Sequence, residues 1–315
     1  MREGSSAGVA LRETIQLAQA TEAMGYERYW VAEHHNLPNF AGTAPEVLVG
    51  QIAANTRRIR VGSGGVMLSH YSSLKVAETF RMLDAFYPGR IDLGIGRAPG
   101  SDQITAAALA YPSTPKDIRH FPQQVRDVVN YLNDSQPDDH PFNAVAASPD
   151  EPDTAPQVWL LGSRYESAFM AAKMGLPFAY AHFSNFEASE HLEQPLVNVG
   201  VQVLCADTEE EARRIGSSRN LGRLRSVTGQ AKGIPSPELA ASYKYLANEW
   251  QFIQQYLRNC VDGDPEEVKA GLERVSEQYQ TADLSVVTIC YHYADRVRSY
   301  ELVAQACGLE PPDLG

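Results

Sequence analysis

The sequence has little of several features that mark whole classes of protein. Only four of its 315 residues are cysteine, and Cys205, Cys260, Cys290 and Cys307 lack the paired spacing that zinc or redox sites use. We therefore expect buried free thiols in a reducing cytoplasm. No run of about 18 apolar residues predicts a membrane span. The polar N-terminus also lacks the basic-then-apolar order of a signal peptide.

Positive charge is scarce as well. Twenty-seven lysines and arginines face 39 aspartates and glutamates, which gives a net charge of −12 without any offsetting basic block. This balance argues against a general nucleic-acid-binding protein, although a local cationic pocket for one phosphate remains compatible with it. A dinucleotide-binding fingerprint is incomplete: Gly94 and Gly96 follow a predicted strand, but the third glycine and the later acidic residue are not in place.

The sequence does contain a repeated alternation of short apolar runs and helix-like segments, clearest over residues 29–102. Each apolar run ends abruptly in glycine or polar residues, which is typical of strand–loop–helix units. We predict an α/β fold, a (β/α)₈ TIM barrel forming a single domain over residues 1–315, whose active site lies at the C-terminal ends of the strands. Helices are predicted at residues 6–24, 43–55 with Thr43 as a cap, and 163–174, among others.

The predicted strands do not complete this barrel. They begin near residues 28, 59, 91, 157, 178, 197 and 284, whereas a closed barrel needs an eighth before the helix at residue 6. We therefore expect the first strand to be missing. Residues 217–262 break the alternation, and we interpret them as an insertion over the barrel mouth, with a helix at 236–259, that could form a mobile lid.

Two segments have the residue types of an anion site. Arg97 directly follows an apolar strand and lies among glycines, so its guanidinium could meet an anion, although it could equally tie down a loop. The segment 161–168 reads as a strand that ends in glycine, followed by a helix N-terminus whose free amides suit a phosphate. Ser163 there could also be a simple helix cap. Together the two segments favour a phosphorylated cofactor.

A third candidate segment is Glu33-His34-His35, at the end of a predicted strand. Side chains alternate along an extended chain, so only one histidine can face a pocket, and metal chelation is disfavoured. A histidine here can act as an acid, a base or a donor near neutral pH, or it can serve packing. The paired Gly64 and Gly65 indicate either a close backbone approach or a plain turn.

Taken together, these segments resemble the bacterial luciferase-like flavin monooxygenase family. The shared strings are Ala-Glu-His-His at 32–35, Val-Gly-x-Gly-Gly at 61–65, Asp-x-x-x-x-Gly-Arg at 84–90 and Gly-x-Gly-Arg-Ala-x-Gly at 94–100. They follow the family's order and spacing over nearly the whole chain.

The resemblance implies a (β/α)₈ barrel that binds reduced FMN at its C-terminal face. In that case Arg97 would grip the FMN phosphate, and the backbone of Ser163 and Arg164 with the hydroxyl of Ser167 would complete the phosphate site. Gly64-Gly65 would form a non-prolyl cis peptide beside the flavin ring. His34 would be the catalytic histidine, with Glu33 holding its loop. Gly96 would line the flavin site where the family has a cysteine, so that thiol is absent here.

We therefore expect a cytoplasmic monooxygenase that uses reduced FMN and O₂ to oxidise a small organic substrate. A separate NAD(P)H:flavin reductase would supply the FMN, and neither nucleic acid nor membrane is an expected partner. One alternative is an F420-dependent hydride-transfer oxidoreductase of the same fold, and another is a non-catalytic flavin-binding protein.

The resemblance also implies a homodimer. Candidate interface positions lie on the helices that begin at residues 43 and 73, although at least half of them should instead face the core. These positions are Val47, Leu48, Ile52, Val76, Phe80 and Leu83.

Overall fold

The computed structural model describes residues 1–98, 100, 102–149, 154–182 and 197–311. The chain divides into two compact units. The first, here called unit 1, comprises Met1–Tyr26, Pro38–Ala41 and Tyr180–Gly315, and the second, unit 2, comprises Glu27–Leu37 and Gly42–Ala179. The single domain over residues 1–315 stays a prediction.

Unit 2 is built on four parallel strands. They are β1 (Arg28–Val31), β2 (Arg60–Met67), β3 (Ile91–Gly96) and β4 (Gln157–Gly162). The strands pair in chain order, with Trp30 opposite Gly62, Gly64 opposite Gly94, and Gly94 opposite Trp159. Every residue of β3 is buried, as expected of a parallel strand covered on both faces.

Helices follow each strand of unit 2. They are α2 (Pro45–Ala54), α3 (Ser73–Phe86), α4 (Gln103–Ala110), α5 (Phe121–Leu132) and α6 (Tyr165–Met174). Pro45 occupies the first turn of α2, where its missing N–H costs nothing. The prediction of Thr43 as the cap is wrong, because Ala44 holds that position and no side chain caps this helix.

The Asp-x-x-x-x-Gly-Arg string has a structural role. The Asp84 carboxylate accepts a hydrogen bond from the Gly89 amide at 3.2 Å, which closes the turn between α3 and β3. Arg90 donates to the carbonyl oxygens of Ala53 and Thr56 at 3.2 and 3.1 Å, beyond the last turns of α2. These contacts fix α2 and α3 to the sheet.

Asp92, on β3, forms a charged cluster at the N-terminal ends of the strands. It is fully buried and accepts hydrogen bonds from Trp30 Nε1 and Arg60 Nε, both at 2.9 Å. A second guanidinium, that of Arg28, lies with Nε 3.3 Å from the carboxylate and stacks over the Trp159 ring. The buried negative charge is therefore offset by two permanent cations.

Four of the six candidate dimer positions are core residues. Ile52, Val76, Phe80 and Leu83 are buried within unit 2, whereas Val47 is 61% exposed and Leu48 is half-buried. The expectation that at least half of these positions face the core is confirmed.

Unit 1 contains α1 (Ala7–Ala23), β6 (Val197–Cys205) and the remaining elements to the C-terminus, while β5 (Phe178–Ala181) crosses the boundary between the units. The later elements are α7 (Glu209–Val227), α8 (Pro237–Ser242), α9 (Ala247–Leu257), β7 (Cys260–Gly263), α10 (Pro265–Tyr279), β8 (Leu284–Val287) and α11 (Tyr293–Cys307). Strand β6 is parallel to both β8 and β7, pairing β8 from Val199 to Gln202 and β7 from Gln202 to Cys205.

All seven predicted strands are confirmed, and β7 was missed. Ahead of α1, residues 1–6 hold an isolated bridge from Arg2 to Ile234 and no strand. The described part of the chain therefore has eight strands, the additional one lying at the end of the segment predicted as an insertion.

Residues 217–262 pack firmly within unit 1. The Arg219 guanidinium is buried and donates from Nη1 to Asp262 of β7 at 2.8 Å, and the Tyr256 hydroxyl donates to Gln202 of β6. The predicted single helix at 236–259 is two helices, α8 and α9, and α7 extends to Val227. These buried contacts favour a fixed element over the mobile lid suggested by the sequence. Among the described helices, none is long and apolar enough to cross a membrane.

Candidate functional site

The Glu33-His34-His35 segment leaves β1 in an extended conformation fixed by its own backbone. The His34 amide donates to the Gly42 carbonyl at 3.0 Å, and the His35 amide donates to the Gly100 carbonyl at 3.3 Å. A side chain on Gly100 would approach the Glu33 carbonyl to 3.1 Å, and this residue has a positive φ of 62°. Glycine at position 100 therefore lets the main chain at this residue lie against that of Glu33 and His35.

Glu33 is the centre of a buried hydrogen-bond network. Its side chain is fully buried and accepts from the Tyr71 hydroxyl at 2.7 Å and from the Met67 amide at 2.9 Å. The Nε2 atom of His35 lies 2.7 Å from the same carboxylate oxygen as Tyr71. Each donor lowers the cost of burying the carboxylate. Glu33 thus joins the end of β1 to the end of β2.

His34 lies between Glu33 and His35 in the sequence and is half-buried. Burial lowers its pKa from the ordinary 6.5, partly opposed by the nearby Glu33 charge, which raises it, while His35 lowers it further. The imidazole is therefore mainly neutral at pH 7 and can accept a proton or donate a hydrogen bond.

The Gly64-Gly65 peptide of β2 is cis, as predicted. A side chain at Gly65 would come within 2.7 Å of the Gly94 carbonyl oxygen on β3, so this position requires glycine. At Gly64 the nearest atom to an added side chain would be Trp30 Cβ, at 3.3 Å. The strand register shifts between Gly64 and Val66, which marks an irregularity at this point in the sheet.

Gly96 and Arg97 lie at the end of β3. Beside Gly96 lies the Met67 sulfur, 3.2 Å from where a side chain carbon would be. Arg97 is half-buried, and no hydrogen bond or ion pair links its guanidinium to another residue in the described part of the chain. A guanidinium without such a partner is available to bind an anion, which is the role that the sequence predicts for Arg97.

The helix that follows β4 begins two residues later than predicted. Helix α6 begins at Tyr165, with Arg164 as its N-cap residue, so Ser163 is neither the first helical residue nor the cap. No side chain caps this helix, in contrast to α10, where the Asp264 carboxylate accepts from the Glu266 and Glu267 amides. The first amides of α6 thus remain available for a ligand.

Arg164 is exposed, Ser163 is half-buried and Ser167 is buried in the first turn of α6. A side chain at Gly162 would lie 2.7 Å from the Ser167 hydroxyl, so the missing side chain leaves room for that hydroxyl. The Arg164 carbonyl accepts from the Ser167 amide at 3.2 Å, whereas its guanidinium, like that of Arg97, makes no hydrogen bond or ion pair to any residue that the structure describes. No cluster of potential metal ligands occurs among the described residues.

The sequence places Tyr71 near the mouth of the pocket but does not predict its hydrogen bond to Glu33, and it gives no role to Met67, which also donates to Glu33, or to Gly42, whose carbonyl accepts from the His34 amide. Tyr71 follows a short 3₁₀ turn (Leu68–His70) and lies 38 positions from Glu33 in sequence. No local pattern predicts such a distant contact, although a tyrosine next to a histidine at a strand end was a usable signal.

The comparisons with known proteins agree over nearly the whole chain. A family model described as luciferase-like monooxygenase matches residues 1–282. The uncharacterized protein YwcH of Bacillus subtilis (strain 168) is 44% identical over 319 residues, covering 96% of this chain and 95% of the relative. The N-acetyl-S-alkylcysteine monooxygenase of the same organism is 38% identical over 317 residues, covering 96% of this chain and 94% of the relative.

Solved structures give the same result. The crystal structure of apo-MsnO8 superposes with a TM-score of 0.84 at 35% identity, covering 99% of this chain and 97% of that one. The oxygenating constituent of 3,6-diketocamphane monooxygenase from Pseudomonas putida, in complex with FMN, reaches 0.69 at 19% identity, covering 99% and 97%. An F420-dependent secondary alcohol dehydrogenase reaches 0.67 at 14% identity, covering 96% of both chains. At such low identities the last two speak for the fold alone, and the predicted luciferase-like barrel class is confirmed.

Proposed function

Because the chain belongs to the luciferase-like monooxygenase family, we propose that it is an FMN-dependent monooxygenase that uses reduced FMN and O₂ to oxidise a small organic substrate. The observation that carries this proposal is Arg97: a half-buried guanidinium at the end of β3 without a partner in the described part of the chain. A cation in such a position suits a phosphate group better than a structural role.

The residues around Arg97 fit the phosphate of FMN. Arg164 supplies a second guanidinium, and the uncapped N-terminus of α6 supplies amides and the favourable end of a helix dipole. The Ser167 hydroxyl lies against Gly162 at the same helix end. In this proposal Arg97 binds the phosphate, and Ser163, Arg164 and Ser167 complete its site.

The glycines at the ends of β2 and β3 suit the flat ring system of a flavin. Gly64, Gly65 and Gly96 carry no side chain at the ends of β2 and β3, where an added one would meet Trp30, Gly94 or Met67. His34, mainly neutral at pH 7, would move a proton at the substrate, while Glu33 holds its segment. The bound flavin would supply the oxygen chemistry, and the chain would bind, orient and exclude water.

We further propose that a separate NAD(P)H:flavin reductase supplies reduced FMN, that the enzyme works in the cytoplasm as a homodimer, and that it requires neither nucleic acid nor membrane. A relative 38% identical to this chain is named for action on N-acetyl-S-alkylcysteines. These thioethers are therefore the first substrates to assay, with O₂ consumption and product mass as readouts.

The decisive experiment is an anaerobic titration with reduced FMN, reduced riboflavin and reduced F420. We expect Arg97→Ala to weaken FMN binding by about 10- to 100-fold, as for loss of a charged hydrogen bond. Binding of riboflavin, which lacks the phosphate, should stay unchanged. Arg126→Ala is the matched control, since Arg126 is exposed on α5 and its guanidinium donates to the Gln123 side chain.

Three outcomes contradict the proposal. Tighter binding of F420 than of FMN would favour the hydride-transfer alternative. FMN binding that loses nothing in Arg97→Ala would remove the residue on which the phosphate assignment depends. Tight FMN binding without O₂-dependent turnover of any thioether or related donor would favour a flavin-binding protein.

A further inference from the structure

The turn that follows β2 is anchored from outside the site. The Gln124 side chain, buried on α5, donates to the carbonyl oxygens of Leu68 and Tyr71 at 3.2 and 3.3 Å. Lys116 also donates to the Tyr71 carbonyl, and the Tyr71 amide donates to that of Leu68 at 3.1 Å. These main-chain contacts therefore hold Tyr71 in place independently of the contacts of its side chain.

From this fixed position the Tyr71 side chain reaches Glu33. Its hydroxyl donates to Oε1 at 2.7 Å, and His35 Nε2 lies 2.7 Å from the same oxygen. Burial, together with the hydrogen bond to Glu33, raises the pKa of Tyr71, so the phenol stays protonated as a donor. The His70 ring packs edge-on against that of His35, with centroids 5.9 Å apart, and limits its rotation.

We infer that Tyr71 is a positioning residue, which orients His34 by holding the Glu33 carboxylate through the Tyr71–Glu33–His35 hydrogen bonds. The inference rests on the proposed function, in which His34 is the proton-handling group. Glu33 and His35 flank His34 directly, so a shift of the carboxylate turns the backbone on both sides of His34. Oε1 of Glu33 accepts from both Tyr71 and His35. When the phenol hydroxyl is removed, only His35 donates to this oxygen, and the carboxylate can move toward the His35 ring.

A purely structural tyrosine would behave differently. Tyr26, in unit 1, is also largely buried, and its hydroxyl donates to the Tyr300 carbonyl at 2.9 Å. Tyr26→Phe therefore removes one buried hydroxyl hydrogen bond without involving a titratable partner. It is a matched control for Tyr71→Phe, since both variants keep the ring and lose one donor.

The experiment compares the two variants by histidine-selective NMR on the full chain without added flavin, and then by steady-state kinetics with FMN. We expect Tyr71→Phe to change the imidazole resonances of His34 and His35 and the pH midpoint of His34, whereas Tyr26→Phe leaves them unchanged. With FMN and substrate, kcat should fall on the order of tenfold for Tyr71→Phe while KM stays within about twofold.

Unchanged His34 and His35 signals in a folded Tyr71→Phe variant would overturn the inference. Should that variant not fold, Lys116→Met tests the same arrangement by loosening the Tyr71 main chain, with a smaller change of the same imidazoles expected and no change overturning it. The NMR result is independent of the proposed function: a shift without any FMN binding rejects the function, and FMN binding without a shift rejects the role of Tyr71.

Discussion

Asp92 and Glu33, two fully buried carboxylates of unit 2, are stabilised in opposite ways. Asp92 lies beside the guanidiniums of Arg28 and Arg60, with one neutral donor from Trp30. Glu33 is held by a phenol, a backbone amide and a histidine, and no lysine or arginine contacts it in the described part of the chain. The first arrangement cancels its charge at every working pH. The second arrangement leaves a negative charge beside the imidazole of His34, which suits a reactive site.

The largest expected effect comes from the cation-paired carboxylate. Asp92→Asn keeps the shape but leaves Arg60 without a counter-charge and Arg28 with only the exposed Glu27, so we expect the free energy of unfolding to fall by about 3 kcal/mol. Urea unfolding measures this. Glu301→Gln is the control, since this exposed partner of Arg298 should contribute within about 0.5 kcal/mol. Equal losses in both variants would contradict the importance of burial at Asp92.

Glu33→Gln should cost less stability and change the site more. The amide retains one acceptor for three donors, which predicts a loss of about 1–2 kcal/mol. Since the Glu33 charge raises the pKa of His34, its removal should move that pKa further below 6.5. An NMR titration of His34 tests the direction. A pKa that rises in Glu33→Gln would show that hydrogen bonding, and not charge, links the two residues.

The smallest effect concerns pH. Because burial lowers the pKa of folded His34, the unfolded chain binds more protons between that lowered value and 6.5. The free energy of unfolding should therefore fall as the pH drops through this window and level off below it. His34→Gln should reduce the slope in part, since burial also lowers the pKa of His182. A comparison of unfolding at pH 7.5 and pH 5 checks this, and an unchanged slope would contradict it.

The sequence predicts the strands and the candidate anion-binding residues because both have local signals. Apolar runs that end in glycine mark β2, β3 and β4, and Arg97 and Gly64-Gly65 lie directly in those endings. Strand β7 has only four residues, Cys-Val-Asp-Gly, between two helices, so its alternation is too short to detect. Its pairing with β6 and the buried Arg219–Asp262 contact identify it only in three dimensions.

Helix starts and long-range contacts explain the remaining differences. A serine after glycine usually caps a helix, but here the helix begins two residues later and Arg164 takes the cap position. Tyr71 and Glu33 meet because the ends of neighbouring parallel strands share an edge, which a strand assignment implies without identifying the side chains. The nature of such contacts depends on side-chain packing, which sequence patterns do not specify.

The arrangement of the tryptophans gives the protein an optical reporter of its own. Of its three indoles, Trp30 adjoins Gly64 and stacks edge-on against Trp159 with ring centroids 5.3 Å apart, whereas Trp250 is 46% exposed in unit 1. A chromophore bound beside Gly64 would lie within the range of energy transfer from Trp30 and Trp159. Emission from Trp30 and Trp159 would then dim on binding, so occupancy of the site beside Gly64 is readable from the unlabelled protein in a cuvette.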